Sequence, residues 1–574
     1  MLKDEEATLP SYRPVKSIPF ELIQHSGIFL EEKLCALPPS SVNTTVALTF
    51  SAFKDTQALD LLVNILSTAT EAPTPVFAPL PQHLAVAATF LVHPSTTTRA
   101  KTAEETEAPN ASLRLLRLTN TLAGPVSANF GRAFSFTHFE SSRRGRRRHE
   151  HDSDDEMKPL NLDLGQSASV WSRAEDFWHA VGWAFNCSVL HPERWKRWCT
   201  WLEFMCEVME DDWEERKRLH SASTKEEGEK LSKDEPKILQ DSLIVRYIEE
   251  GSSGYGKNRR IMRAIFADGS TSSVNEFREV FHKELKELKQ PKGATENIKK
   301  REVEVNIDEE KYGDYLNNDN DDGGSSQDET NPTATKGSKR PTRQTKRPRR
   351  GTRSKPDPSA NEDAQTAAHL HSGVDQLGSL PSLALRQRLL HLLSTVSQHL
   401  PASFINLEEL YHLFVENIRH LPLPIFQALV SPSVLPNFLP AAKTTLCECL
   451  LFRMRESGAP VTDEEYLNQA KLAQCFLPYA ANTASIVDNA KVSVALESLL
   501  ILLADNNLLK VTPQLQNAVE EGIKARARKT QVETRRSQNS RKLESIEWSW
   551  LIESGERLRF LVYEILPMAS ASSV

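Results

Sequence analysis

The sequence predicts an all-α fold. The expected architecture is an irregular helical array, for which a solenoid is one option, and a long disordered charged insert interrupts it. Apolar residues recur three and four positions apart along most of the chain, which is the period of an amphipathic helix. Short proline or asparagine breaks separate these segments. Residues 291–378 are instead dominated by Lys, Asp, Asn, Gly, Ser, Thr and Pro, and no core can be built from that composition.

The chain has 574 residues, which is enough for roughly two to four domains. Composition divides it into an N-terminal helical region at 1–140, a charged linker at 141–160 and a tryptophan-rich helical region at 161–290. The disordered insert at 291–378 carries a basic import signal, and a C-terminal helical region follows at 379–570.

In the N-terminal region, apolar segments alternate with clusters of Pro, Ser and Thr. Their spacing favours short paired helices over strands, and Pro81 stands where a helix can begin. The stretch VNTTVALTF at 42–50 also fits an extended conformation, because it is rich in β-branched residues.

Seven of the nine tryptophans lie between residues 169 and 219. The segment breaks at His191 and Pro192, and a proline suits the first turn of a second helix, so the prediction is an αα-hairpin. Each helix carries an apolar stripe that must be covered. The first stripe comprises Trp171, Ala174, Trp178, Val181, Phe185 and Val189, and the second comprises Trp195, Trp198, Leu202, Met205, Met209 and Trp213.

Trp183 and Trp201 fall off these stripes, so each helix has apolar surface on more than one side. One interpretation places both side chains in the aromatic core of a helical domain. The other makes them anchors for a partner protein, because large aromatic side chains dominate interface hot spots.

The second helix also carries a ridge of glutamates, which we call the acidic ridge. Its members are Glu203, Glu207, Glu210 and Glu214. Like charges four positions apart destabilise a helix slightly, so helix stability does not explain the ridge. A solvated face is one explanation, and contact with the chain's own arginine blocks or with a basic partner is the other.

Beyond the hairpin, Ser273 with Glu276 spells a capping box, which predicts a helix that Pro291 ends. Helices resume in the C-terminal region, where the apolar pattern predicts a series of segments. These segments are 383–396, 407–418, 444–455, 463–477, 491–504 and 548–566.

No catalytic motif is found. Residues 251–258, GSSGYGKN, approach a phosphate loop, but Asn258 replaces the required Ser or Thr and no buried strand precedes the loop, so a turn between helices is the favoured interpretation. Residues 318–329 match a calcium loop only in part. Cys187, His191, Cys199 and Cys206 lack the paired spacing of zinc sites and are better explained as core residues. We therefore predict no metal, no cofactor and no enzymatic activity.

Residues 336–355, KGSKRPTRQTKRPRRGTRSK, carry the most specific functional signal. Clustered cations on a proline-stiffened segment suit a nuclear import receptor, and the same cations bind phosphate backbones by releasing counterions. The predicted contact residues are Lys339, Arg340, Lys346, Arg347, Arg349, Arg350 and Arg353. An accessory basic patch comprises Arg143, Arg144, Arg146, Arg147 and Arg148.

The seven cysteines are sparse and lie in apolar stretches, which fits a reducing compartment. The first residues show no signal peptide, and the longest apolar run is too short to cross a bilayer. We expect neither secretion nor membrane association.

These features together predict a nuclear, non-enzymatic scaffold or subunit of a chromatin-associated or genome-maintenance complex. It would bind protein subunits through helical surfaces, and nucleic acid through its basic segments. One alternative is an RNA-linked helical protein of ribosome assembly or RNA processing. The other is a nucleotide-dependent enzyme that uses the degenerate loop at 251–258.

Overall fold

The structure is a computed structural model. It describes residues 12–17, 55–68, 76–136, 163–227, 236–250, 256–286, 376–435, 437–462, 464, 466–531 and 540–567. All of these belong to one contact unit, formed by Met1–Glu287 together with Ala367–Val574. The linker at 141–160 and residues 291–375 of the predicted insert lie outside the described residues.

The all-α prediction is confirmed. The described part of the N-terminal region contains two short strands and four helices. These are β1 Val15–Ser17, α1 Asp55–Thr68, β2 Val76–Ala78, α2 Pro81–Phe90, α3 Ala103–Ala123 and α4 Phe130–Ala133. The strands form a parallel pair with Val15 opposite Val76, which the sequence pattern did not predict. The stretch at 42–50 lies outside the described residues.

Local sequence signals set the ends of these helices. Pro81 occupies the first turn of α2, as predicted, where its missing N–H costs nothing. Thr102 caps α3 in a full capping box: its hydroxyl accepts a hydrogen bond from the Glu105 amide, and the Glu105 carboxylate accepts one from the Thr102 amide. Helices α1 and α2 both pack on α3.

The central region contains the predicted hairpin and several shorter helices. These are α5 Val170–Arg173, α6 Phe177–Leu190, α7 Pro192–Glu227, α8 Lys237–Gln240, α9 Leu243–Glu250, α10 Lys257–Ile265 and α11 Thr271–Glu276. A single 3-10 turn at Asp163–Gly165 precedes them. The hairpin breaks at His191, as predicted, and the Asp176 carboxylate caps α6 by accepting a hydrogen bond from the His179 amide.

The helix predicted from the Ser273 capping box is wrong beyond its first turns. Ser270 is the cap, and α11 ends at Glu276. Beyond α11, Phe277 is buried against Gly182 of α6 and Glu284 is fully buried beneath α7. Lys283 adopts a positive φ of 51°, outside the right-handed helical region, where the chain turns.

The C-terminal region contains eight described helices and a closing π-helical turn at Leu561–Ile565. They are α12 Leu380–His399, α13 Leu407–Ile418, α14 Leu423–Val430, α15 Pro440–Met454, α16 Gln469–Cys475, α17 Ile486–Asp505, α18 Pro513–Thr530 and α19 Ser540–Phe560. The predicted 407–418 matches α13, whereas α16 begins only at Gln469 and is shorter than the predicted 463–477. Helix α18 was not predicted.

The buried side chains of all three helical regions join in one large cluster, which runs from Ala58 in α1 to Val562 in the last turn. Helix α7 is central to it, since α7 packs on α6, α8, α9 and α12. At 36 residues it is long enough to reach each of these neighbours in turn. The contacts of α7 therefore decide which side chains are available to a ligand or partner.

Candidate functional site

Trp183 and Trp201 lie in the core, with 1% and 0% of their surface exposed. The Trp201 ring lies 5.5 Å from the ring of Trp198 and 6.2 Å from that of Phe177. Neither indole can reach a partner in this structure, so of the two interpretations the core position is the one observed. The off-stripe position of Trp183 is explained because α6 is buried between α7 and α10, and that of Trp201 because α7 packs against several helices.

A buried carboxylate, Glu284, lies at the centre of the tryptophan cluster. One of its oxygens accepts hydrogen bonds from Trp198 Nε1 at 2.7 Å and from Arg194 Nε at 2.9 Å. The other accepts from Trp183 Nε1 at 3.1 Å and from the Phe281 amide at 3.2 Å. The carboxylate is fully satisfied, so its burial does not make it a free catalytic base.

Arg194 connects this carboxylate to the N-terminal region. Its guanidinium donates to the Val92 carbonyl at 2.6 Å and to the Thr97 hydroxyl at 2.8 Å. It also forms an ion pair with Glu284 in which both side chains are almost fully buried. Sequence patterns gave no sign of this network, because both residues lie among ordinary helical charges.

The acidic ridge binds arginines of this chain on both sides of α7. Glu207 accepts two hydrogen bonds from Arg117 of α3, at 3.0 and 2.6 Å. Glu210 accepts two from Arg388 of α12, at 2.9 and 2.6 Å. Arg117 and Arg388 do not belong to the predicted basic blocks. The acidic ridge therefore binds arginines of this chain other than the ones that the sequence predicted.

The other two ridge residues are less engaged. Glu214 lies 3.8 Å from Lys217 one turn along the same helix, and Glu203 is exposed. Exposed pairs of this kind contribute little to stability. The two ends of the acidic ridge are therefore solvated. Its middle residues, Glu207 and Glu210, bind arginines of α3 and α12, and we call these contacts of α7 the brace.

Three further carboxylates of α7, which no sequence pattern marks, complete the brace. Asp211 accepts a hydrogen bond from the Asn120 amide of α3, and Asp212 accepts one from the Leu243 amide at the start of α9. Glu215 accepts one from the Val126 amide. Burial raises the pKa of all three carboxyl groups, and these hydrogen bonds oppose the rise.

Arg386 of α12 joins the C-terminal region to the central one. Its guanidinium donates to the carbonyls of Ile265 and Ala267, at the end of α10, and lies 4.0 Å from the centre of the Phe185 ring. Burial lowers its pKa to about 9. A cation at a helix C-terminus is favourable because the last carbonyls there lack partners within the helix.

The two basic blocks lie outside the described residues. The structure therefore places neither the predicted import residues from Lys339 to Arg353 nor the accessory patch from Arg143 to Arg148. Their roles stay predictions.

The degenerate phosphate loop is preceded by helix α9, whereas a phosphate loop requires a strand at that position. Lys257 is the first residue of α10, and it borders a cavity of about 540 Å³. Partial burial lowers the pKa of its ammonium group. The cavity is lined by Ile248 of α9, by residues 256–259, by residues 403–405 and by Glu409, His412 and Leu413 of α13.

The described side chains include no group of three or more His, Cys, Asp or Glu residues placed to hold a metal ion. Burial raises the pKa of the Cys199 thiol to about 11 and raises that of Cys206 further still. Among the helices whose residues are described, none is both long and apolar enough to span a bilayer. Comparisons with protein-family models, with curated proteins and with solved structures give no match.

Proposed function

We propose that this chain is a non-enzymatic scaffold subunit of a nuclear, chromatin-associated or genome-maintenance assembly. The observation that carries the proposal is the brace on α7, in which Glu207, Glu210 and Asp212 are committed to contacts inside the chain. Contacts of this kind between helices hold the surfaces that those helices present in fixed positions. The basic tract at 336–355 supplies the nuclear address and the electrostatic contact with nucleic acid.

The last helix offers a surface that supports partner binding. Ile552, Phe560 and Tyr563 of α19 and its closing turn are exposed, while the opposite side of α19 packs on α17 and α18. Glu553 and Glu556 are exposed on the same helix, and Glu556 also accepts a hydrogen bond from Arg559 at 2.8 Å. Apolar side chains bordered by glutamates fit an amphipathic helix of a partner subunit whose apolar stripe is bordered by Lys or Arg.

This surface replaces Trp183 and Trp201 as the place to test partner binding, because substituting a buried tryptophan would unfold the core. Phe560→Asp should remove the partner from affinity purifications of nuclear extract while the protein stays nuclear. Leu508→Asp is the matched control, since Leu508 is as exposed but lies in a loop outside α19. Equal loss in both variants, or loss in neither, argues against the surface.

The nuclear address is tested separately. Replacing residues 336–355 by a Gly/Ser segment of equal length should move the protein to the cytoplasm and leave partner binding intact. Crosslinking in nuclei should recover DNA, whereas recovery of RNA alone would favour the RNA-processing alternative. A variant that remains nuclear contradicts the assigned role of the tract.

A further inference from the structure

The cavity beside Lys257 is built by two parts of the chain that are far apart in sequence. One wall comes from α9 and the start of α10, and the other from residues 403–405 and α13. Near the cavity, Gln240 Nε2 of α8 donates to Ser403 Oγ at 3.2 Å, and Arg259 lies 3.8 Å from Glu416 in an exposed pair. Packing of α10 on α13 brings the two walls together.

The lining combines cations with an apolar surface. Lys257 and Arg259 come from the first turn of α10, whereas Ile405 and Leu413 provide apolar surface across from them. Phe404 adds an aromatic ring that is only partly buried. Ligand pockets of this kind are mostly apolar, with a few polar groups that fix orientation, and their usual volumes of roughly 300–1,000 Å³ include this one.

Glu409 and His412 add hydrogen-bonding capacity on α13. Glu409 is exposed and offers carboxylate oxygens to a donor on a ligand. A ligand that satisfies every group here has an anionic end for the two cations, a planar apolar body for Phe404 and Leu413, and an N–H or O–H donor for Glu409.

We propose that this cavity binds a nucleoside phosphate, with the phosphate on Lys257 and Arg259 and the base against Phe404 and Leu413. The proposal concerns binding alone, with no bond made or broken. It goes beyond the scaffold function and does not depend on it. Because the ligand would contact both α10 and α13, its binding would stabilise the junction between the central and C-terminal regions.

The test is calorimetric titration of the full-length protein with AMP, ATP, adenosine, pyrophosphate and a phosphotyrosine peptide. AMP should bind, and Lys257→Gln should raise its Kd by about tenfold to hundredfold, the factor expected for one charge-assisted hydrogen bond. Lys524→Gln, an exposed lysine of α18, should leave the Kd unchanged. Arg259→Gln provides a second reading if Lys257→Gln does not fold.

Several results would overturn the proposal. One is the absence of AMP and ATP binding, and another is wild-type affinity in a folded Lys257→Gln or Arg259→Gln protein. Pyrophosphate binding as tightly as AMP would show that the apolar wall is not used. Binding of the phosphotyrosine peptide without binding of AMP would assign the cavity to a protein ligand instead.

Discussion

The carboxylate of Glu284 and the guanidinium of Arg194, which are 90 positions apart, form a hydrogen-bonded ion pair inside the tryptophan cluster. The pair joins the end of the central region to α7, and through Arg194 it reaches the carbonyl of Val92 in the N-terminal region. One buried contact therefore holds three separate segments of the chain. Its removal should affect the whole unit.

Glu284→Gln should lower the free energy of unfolding by about 3–5 kcal/mol, because it leaves the Arg194 charge buried without its counter-ion. The new amide NH₂ group is itself a donor, and it would face N–H groups that now donate hydrogen bonds to the carboxylate. Urea unfolding monitored by tryptophan fluorescence measures the change. The double variant Arg194→Met with Glu284→Gln should cost less than the sum of the single changes, since it leaves no unpaired charge.

Glu193→Gln is the control for this cycle. Glu193 pairs with Lys196 at 2.8 Å, but both side chains are mostly exposed. Its loss should change the free energy of unfolding by less than about 0.5 kcal/mol. A Glu284→Gln protein as stable as Glu193→Gln would contradict the central role of the buried pair.

The brace between α7 and α12 can be tested by exchanging its charges. Arg388→Glu should destabilise the protein by about 1–2 kcal/mol, because it replaces the cation with a second carboxylate beside Glu210 in a partly buried position. Glu210→Arg combined with Arg388→Glu should recover part of the loss in thermal unfolding. If the double variant is no more stable than the worse single variant, the two side chains do not act as a pair.

Gly182 of α6 should not accept a side chain. A Cβ there would lie 2.3 Å from Phe277 Cγ, so Gly182→Ala must displace a buried aromatic ring and should cost about 1–3 kcal/mol. Gly458→Ala is the matched control, because nothing lies within 4 Å of its added Cβ. Differential scanning calorimetry should show a lower Tm for the first variant only. Equal Tm values would mean that Phe277 is not held against α6.

His83 should make stability depend on pH. Burial lowers its pKa to about 4, while the unfolded chain takes up this proton near the ordinary value of 6.5. Between these values the unfolded state binds more protons, so stability falls as pH falls. The free energy of unfolding of the wild type relative to His83→Leu should decrease by about 2 kcal/mol from pH 7 to pH 5. Parallel curves for the two proteins would contradict the low pKa.

Short-range patterns were sufficient to predict much of the secondary structure. The apolar period of α13, the proline that begins α7 and the proline that begins α2 each act within a few residues, so they can be identified in one sequence. The pattern failed after Ser273, because Phe277 and Glu284 respond to side chains on α6 and α7 that are distant in the sequence.

Of the residues that line the cavity, the sequence drew attention to Lys257 and its neighbours, because they resemble a phosphate loop. The glycine-rich run suggested a phosphate loop, but the element before it is α9 and not a strand. The opposite wall, with Phe404 and His412, carries no sequence signal that links it to Lys257. Only packing of α10 against α13 brings the two walls together.

The sequence by itself determined that this protein is helical and roughly where several of its helices lie, because helix period and end signals depend on neighbours within one or two turns. Only the tertiary structure decided that Trp183 is core, that Glu207 and Glu210 bind arginines of the same chain, and that Glu284 is buried. Burial and pairing depend on side chains brought together across long stretches of sequence, and no local pattern records those contacts.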